Sequence, residues 1–111
     1  MIEIIIKNHL DDKLEEQVFL EKPSHGLGTY VVFERISSSK SNHLPSATFA
    51  FQSYANSLYK AVELNERVKQ AVESMIELDE IRSIKLNSDY NFTDTTTKEY
   101  RYQAVFDIKH Y

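Results

Sequence analysis

Residues 29–36 read Thr-Tyr-Val-Val-Phe-Glu-Arg-Ile, and residues 48–54 read Thr-Phe-Ala-Phe-Gln-Ser-Tyr. Both segments are rich in β-branched and aromatic residues, which favour strands. The first carries apolar side chains on both faces, with Tyr30, Val32 and Ile36 on one and Val31 and Phe33 on the other. This pattern predicts a strand that is covered on both sides. The second alternates with period two around Phe49 and Phe51, which predicts another strand.

A long amphipathic helix follows these two strands. Ser57 is a suitable N-cap, and the next twenty residues contain neither glycine nor proline. Apolar or small residues recur at spacings of three and four, as a buried helix face requires. The predicted face comprises Leu58, Ala61, Val62, Asn65, Val68, Val72, Met75 and Ile76.

The N-terminal segment predicts a second helix. Residues Ile2, Ile5, Ile6, Leu10 and Leu14 share one helical face. The run of isoleucines leaves a strand over residues 2–6 as an alternative. Val18, Phe19 and Leu20 then form a short apolar run before Pro23, which predicts a short strand.

The C-terminal third predicts a β-hairpin. Over residues 81–92, Ile84, Leu86, Tyr90 and Phe92 occupy alternate positions, and residues 94–97 form a turn. The segment after this turn is predicted to be a strand with one buried face and one solvated face. The buried face comprises Tyr100, Tyr102, Ala104, Phe106 and Ile108.

These elements occur in the order α-β-β-β-α-β-β. Helices interleaved with hairpins predict an α+β fold. We expect a four- to five-stranded, mostly antiparallel sheet with two helices packed on one face. A length of 111 residues fits a single domain over residues 1–111.

Composition narrows the function classes. The chain has no cysteine, which excludes disulfides and thiolate chemistry and is compatible with a reducing cytoplasm. Its net charge of −4 argues against nucleic-acid sequence recognition, which normally needs a basic face. The apolar run Ile4–Ile6 is too short for a signal sequence or a membrane span.

No catalytic, cofactor-binding or metal site is predicted. The four histidines have no metal-ligand spacing, the acidic pairs fit solvated turns, and Gly26-Leu27-Gly28 lacks the rest of a phosphate-binding motif. An enzyme would need a cleft that gathers some of His25, His43, Glu34 and Asp107. Nothing in the sequence gathers them, so we expect a protein without enzymatic activity.

Two segments suggest a partner interface instead. Residues 37–46 are polar and serine-rich, which predicts a surface loop. Tyrosines, which are frequent at protein interfaces, crowd the C-terminal hairpin. The alternative for Tyr100 and Tyr102 is that they cap the edge of the core. The predicted interface comprises Ser38, Ser39, Lys40, Ser41, Asn42, His43, Tyr100 and Tyr102.

Several strings also resemble a known family. Residues 29–37, the polar loop, residues 49–55 (Phe-Ala-Phe-Gln-Ser-Tyr-Ala), the helix start at residues 58–61 and the last strand at residues 98–108 occur in a familiar order. Together they resemble the small tail-terminator and head–tail joining proteins of long-tailed bacteriophages and prophages. The resemblance spans residues 2–108. Thr29 departs from it, because many relatives carry proline there.

The resemblance implies a structural protein of the virion. Its expected partners are further copies of itself in a hexameric ring, the major tail protein, and the head-completion or connector protein. The expected location is the head–tail junction, after assembly in the host cytoplasm. The alternative is a small non-catalytic binding module that acts as a monomer or dimer.

Overall fold

The computed structural model describes residues 1–24, 28–41 and 44–111. These residues confirm the predicted α+β class and the predicted order of elements. They contain two α-helices, α1 (Ile2–Lys13) and α2 (Leu58–Glu73), a 3₁₀ helix at Ser74–Glu77 and five strands. The strands are β1 (Gln17–Phe19), β2 (Tyr30–Ser41), β3 (Leu44–Ala55), β4 (Ile81–Asn91) and β5 (Tyr100–His110).

The strands form one sheet in the order β1-β2-β3-β5-β4. β1 pairs with β2 in parallel, with Val18 opposite Val31, and all other pairs are antiparallel. β4 and β5 form the predicted C-terminal hairpin. β3 and β5 therefore pair with each other inside the sheet, with β2 on the other side of β3 and β4 on the other side of β5.

Both helices pack on one face of this sheet, where they bury the main core. Four phenylalanines at its centre are fully buried, and Phe51 stacks on Phe33 (ring centroids 5.6 Å apart) and meets Phe106 edge to face (5.9 Å). Apolar residues of both helices cover these rings. They include Ile2, Ile6 and Leu10 of α1 and Leu64, Val68 and Val72 of α2.

The helices form largely where the pattern predicts them. Burial of Ile2, Ile6 and Leu10 on α1 excludes the alternative of a strand over residues 2–6. At the start of α2 the Ser57 hydroxyl accepts a hydrogen bond from the Lys60 backbone nitrogen (3.2 Å), which confirms the predicted N-cap.

The buried face of α2 is rotated from its prediction. Leu64 and Ala71 are buried, whereas Leu58 and Ile76 are 40% and 51% exposed. Ile76 lies in the 3₁₀ segment, whose tighter winding changes the direction of its side chain. No helix of the described residues is long and apolar enough to cross a bilayer.

The prediction of a loop over residues 37–46 is wrong for residues 37–41 and 44–46, whereas residues 42 and 43 lie outside the described residues. β2 continues to Ser41 and β3 begins at Leu44, so the serines lie in a hairpin in which Ser38 pairs with Ala47. Strand pairing supplies the backbone hydrogen bonds here, so a polar composition does not prevent a strand.

Two bulges change which face a side chain occupies. Between Leu86 and Ser88 the register shifts, so that Leu86 lies opposite Phe106 whereas Tyr90 lies opposite Gln103. The prediction that Leu86 and Tyr90 share a face is therefore wrong. A similar shift after Arg35 leaves Ile36 52% exposed.

Candidate interaction surface

The sheet face opposite the helices, called here the open face, carries a second apolar cluster. It consists of Tyr30, Val32 and Tyr54, with Phe19 packed against them. Within the described residues this cluster contains no helical residue. Strand alternation places these side chains opposite the main core. Tyr30, Val32 and Tyr54 are nevertheless buried.

Aromatic rings extend this cluster across the open face. Tyr30 and Tyr54 stack with centroids 4.6 Å apart and planes 11° from parallel, and Phe19 meets Tyr30 edge to face at 6.0 Å. On the far side Tyr90 meets Phe92 at 6.0 Å. These five residues form the aromatic row, which runs from β1 to the end of β4.

Arg101 joins the two halves of the aromatic row. Its guanidinium carbon lies 5.7 Å from the Tyr54 ring centroid and 4.4 Å from that of Phe92, within the range of cation–π attraction. Its Nε donates to the Phe92 carbonyl (2.6 Å) and its Nη1 to the Tyr54 hydroxyl (2.9 Å). These bonds fix the guanidinium between the two rings.

A chain of hydrogen bonds runs below the rings. The Tyr54 hydroxyl donates to Gln52 Oε1 (3.1 Å), and Gln52 Nε2 donates to Gln103 Oε1 (2.8 Å). Gln103 Nε2 then donates to the Tyr90 hydroxyl. Because Tyr54, Gln52 and Gln103 each both donate and accept, the network holds its members in one arrangement. The aromatic row is thus preorganised, with Tyr30 and Tyr54 buried and Tyr90 and Phe92 exposed.

The end of the aromatic row beside β1 borders a cavity of about 220 Å³. Tyr30, Tyr54 and Tyr100 line it. Burial, together with the neighbouring Tyr54 hydroxyl, raises the pKa of Tyr30, so its hydroxyl stays protonated at neutral pH. Lys22 lies 5.8 Å from the Tyr54 ring, and its hydrogen bond to Glu99 raises the lysine pKa. This end therefore combines aromatic surface with hydroxyl and ammonium donors.

Within the described residues, each edge of the sheet carries strand backbone that has no neighbouring strand. β1 pairs only with Tyr30–Val32, so β2 has no strand on its outer side from Phe33 onward among the described residues. β4 forms the other edge over its whole length. Unpaired edges can accept a strand from another chain, although bulges and Lys85 make β4 the less regular template.

The residues predicted as a partner interface fall into two separate places. Ser38, Ser39 and Lys40 are exposed near the tip of the β2–β3 hairpin, where the backbone of Ser41 also lies. Asn42 and His43 lie outside the described residues.

The predicted tyrosines lie at the other end of the sheet. Tyr100 pairs with Ala55 and Tyr102 with Ser53, and both are half-buried. Ala47, opposite Ser38, and Ala55 are eight residues apart on β3, about 27 Å in a strand. The structure thus does not bring the two groups together.

The residues considered for chemistry are only partly described. Glu34 lies opposite Ala50 and Asp107 opposite Thr48, whereas His25 and His43 are outside the described part. Among residues 1–24, 28–41 and 44–111, no three potential ligands are arranged to hold a metal. The absence of enzymatic activity stays a prediction.

Sequence reasoning missed Arg101, Gln103 and Tyr30 as a group on the open face, where Tyr30 and Gln103 are buried and Arg101 is half-buried. The sequence does place each of them on one face of its own strand. Only the pairing of β2, β3 and β5 shows that these three strand faces lie side by side.

No protein-family model matches this chain, and no curated protein sequence matches it significantly. The phage family that its sequence resembles is therefore a hypothesis.

Proposed function

We propose that this chain is a structural subunit of a phage tail, which caps the tail tube and joins it to the head connector as a ring. The observation that best supports this role is the pair of unpaired sheet edges, one on β2 and one on β4. A closed ring needs two different surfaces on each subunit, because its contacts are heterologous. Two unlike edges on opposite sides of one sheet meet that requirement.

The remaining surfaces suit contacts along the axis of such a ring. The open face presents the exposed rings of Tyr90 and Phe92 beside the half-buried Arg101, residue types that are enriched at protein interfaces. At the other end of the sheet, the pairs of Lys40 with Pro45 and Ser41 with Leu44 lie beyond the last pair of β3 with β5, Ser46 with Lys109. We assign the hairpin tip to a neighbouring ring or the tail tube, made of the major tail protein. The open face is left for the head connector.

The second candidate is a non-catalytic binding module that acts as a monomer or dimer. The aromatic row supports it, because a preorganised aromatic surface can bind a single partner without a ring. The two functions differ in the mass of the assembly. A ring subunit gives a closed oligomer, alone or on tail-tube protein, whereas a module gives one or two copies under both conditions.

The test of the ring function shortens the hairpin. Ser39 and Ser46 are register partners, so an Asn-Gly turn replacing residues 40–45 joins them with a favoured two-residue connection. We expect this variant to melt within a few degrees of the intact chain and to lose tail joining. Electron microscopy of particles from a phage whose own gene is deleted, supplied with either form, measures the loss.

The intact chain supplied in the same way is the control and should restore joined particles. Normal joining by the shortened chain would contradict the role of the hairpin tip. A solution mass of one or two copies, unchanged when tail-tube protein is added, would instead favour the binding module.

A further inference from the structure

A cavity of about 470 Å³ on the open face, near the hairpin, is lined by side chains of four strands. We call it the lysine hollow. Lys85 and Lys109 supply two ammonium groups and Ser83 supplies a hydroxyl donor, while the carboxylate of Asp107 also lines the cavity. This set of donors suits carboxylates.

The lysines of the hollow have no ion-pair partner within the described residues. Lys85 lies opposite Asp107 in the sheet, yet neither Lys85 nor Lys109 comes within 4 Å of a carboxylate there. Asp107 is engaged otherwise, since its Oδ1 accepts from the Thr48 hydroxyl (2.7 Å) and its Oδ2 from Asn87 (3.2 Å). By contrast, Lys69 is paired with both Asp89 and Glu66.

The same chain carries an exposed acidic segment whose charge is opposite to that of the lysines. Glu77 ends the 3₁₀ helix, and Asp79 and Glu80 lie between that helix and β4. All three are exposed and without an ion pair in the described part. We call residues 77–80 the acidic turn. Backbone hydrogen bonds hold it, from Leu78 to Met75 (2.9 Å) and from Tyr111 to Glu80 (3.0 Å).

We propose that the acidic turn of one copy binds the lysine hollow of a second copy. Exposed carboxylates complement the charge of the unpaired lysines, and the backbone bonds of the turn reduce the entropy that it loses on binding. The turn leads directly into β4, whose residues Ser83 and Lys85 line the hollow. Because turn and hollow adjoin, two copies can exchange turns around a two-fold axis.

This contact goes beyond the proposed ring, whose heterologous contacts need no two-fold axis.

Burial, with the nearby charge of Lys13, lowers the pKa of His9, which lines the adjoining cavity with Asp12 and Glu80. The imidazole is therefore neutral at neutral pH and leaves the charge of the turn intact.

The test reverses one charge on each side. Lys85→Glu and Glu80→Lys should each weaken self-association at least tenfold, because each places like charges together. Mixing the two variants should restore association, since the hollow of the first then meets the turn of the second with opposite charges. Sedimentation equilibrium at low salt measures all three, and association of the unaltered chain should weaken as salt rises.

Lys60→Glu and Glu21→Lys are matched controls, because both residues are exposed and unpaired within the described part. They should leave association unchanged. No self-association of the unaltered chain, equal losses in variants and controls, or failure of the mixture to associate would each overturn the proposal. If Lys85→Glu left self-association unchanged while the ring still formed on tail-tube protein, this contact would be refuted and the proposed tail function would stand.

Discussion

The two faces of the sheet are built from the same strands but held by different forces. On the helix side, phenylalanines and aliphatic residues are removed from water by two helices. On the open face, rings are held by stacking, one guanidinium and a chain of hydrogen bonds. Burial on the first face stabilises the fold. On the open face Tyr30 and Tyr54 are also buried, although among the described residues no helical residue packs in their cluster, while Tyr90 and Phe92 are 41% and 40% exposed. The two faces therefore differ in what holds their side chains and in how evenly these are buried.

The largest expected effect breaks the covered face. Phe51→Ala removes a fully buried ring from between Phe33 and Phe106 and should lower the free energy of unfolding by about 3 to 5 kcal/mol. Urea denaturation measures the loss. Phe92→Ala, at a ring that is 40% exposed on the open face, is the control and should cost much less. Equal losses would contradict the contrast between the faces.

An intermediate effect is expected on the open face. Tyr54→Phe keeps the stacked ring but removes the hydroxyl that accepts from Arg101 and donates to Gln52. We expect a loss of about 1 to 2 kcal/mol in unfolding free energy, because two hydrogen bonds disappear. Thermal or urea denaturation provides the number. No change would mean that the stacked rings alone hold this face.

The smallest expected effect concerns an ion pair that ties the segment before β1 to α2. Arg67 donates to both carboxylate oxygens of Glu16 (2.8 Å each), and this hydrogen bonding lowers the pKa of Glu16 from its ordinary value of 4.5. Glu16→Gln should cost about 0.5 to 1 kcal/mol at neutral pH, because the pair is partly exposed.

The pH dependence of that loss has a definite sign. A lowered pKa in the folded state means that the carboxylate stabilises the fold above about pH 4.5 and that this contribution disappears as the pH falls further. The difference between the two proteins should therefore shrink in acid. A constant difference down to pH 3 would show that the charge of Glu16 is not its cause.

The sequence predicts the elements better than their faces. Period-two and helical patterns locate β3, α2 and β5, because a buried face needs an apolar residue at every second position of a strand or every third to fourth position of a helix. The bulge between Leu86 and Ser88 leaves no such pattern in the sequence, since it depends on the register between β4 and β5. Serine content misled at residues 37–41, where pairing with β3 outweighs the low strand preference of each serine.

The candidate surface was harder to predict for a related reason. Tyr30, Tyr54 and Arg101 are distant in sequence and meet only because β2, β3 and β5 are neighbours. The polar face of a single strand looks like ordinary solvated surface. Only the sheet order shows that three such faces combine into one.

The place of β5 in the sheet has a consequence for folding. This strand is the last in chain order, yet it lies between β3 and β4. The pairing of β3 with β5 joins positions as distant as Ser46 and Lys109, so closing it orders a long stretch of chain and makes folding slow. During synthesis, the edge of β3 that pairs with β5 stays unpaired until β5 has been made. A chain stopped before β5 would expose a strand centred on Phe49 and Phe51, a substrate for chaperones and proteases.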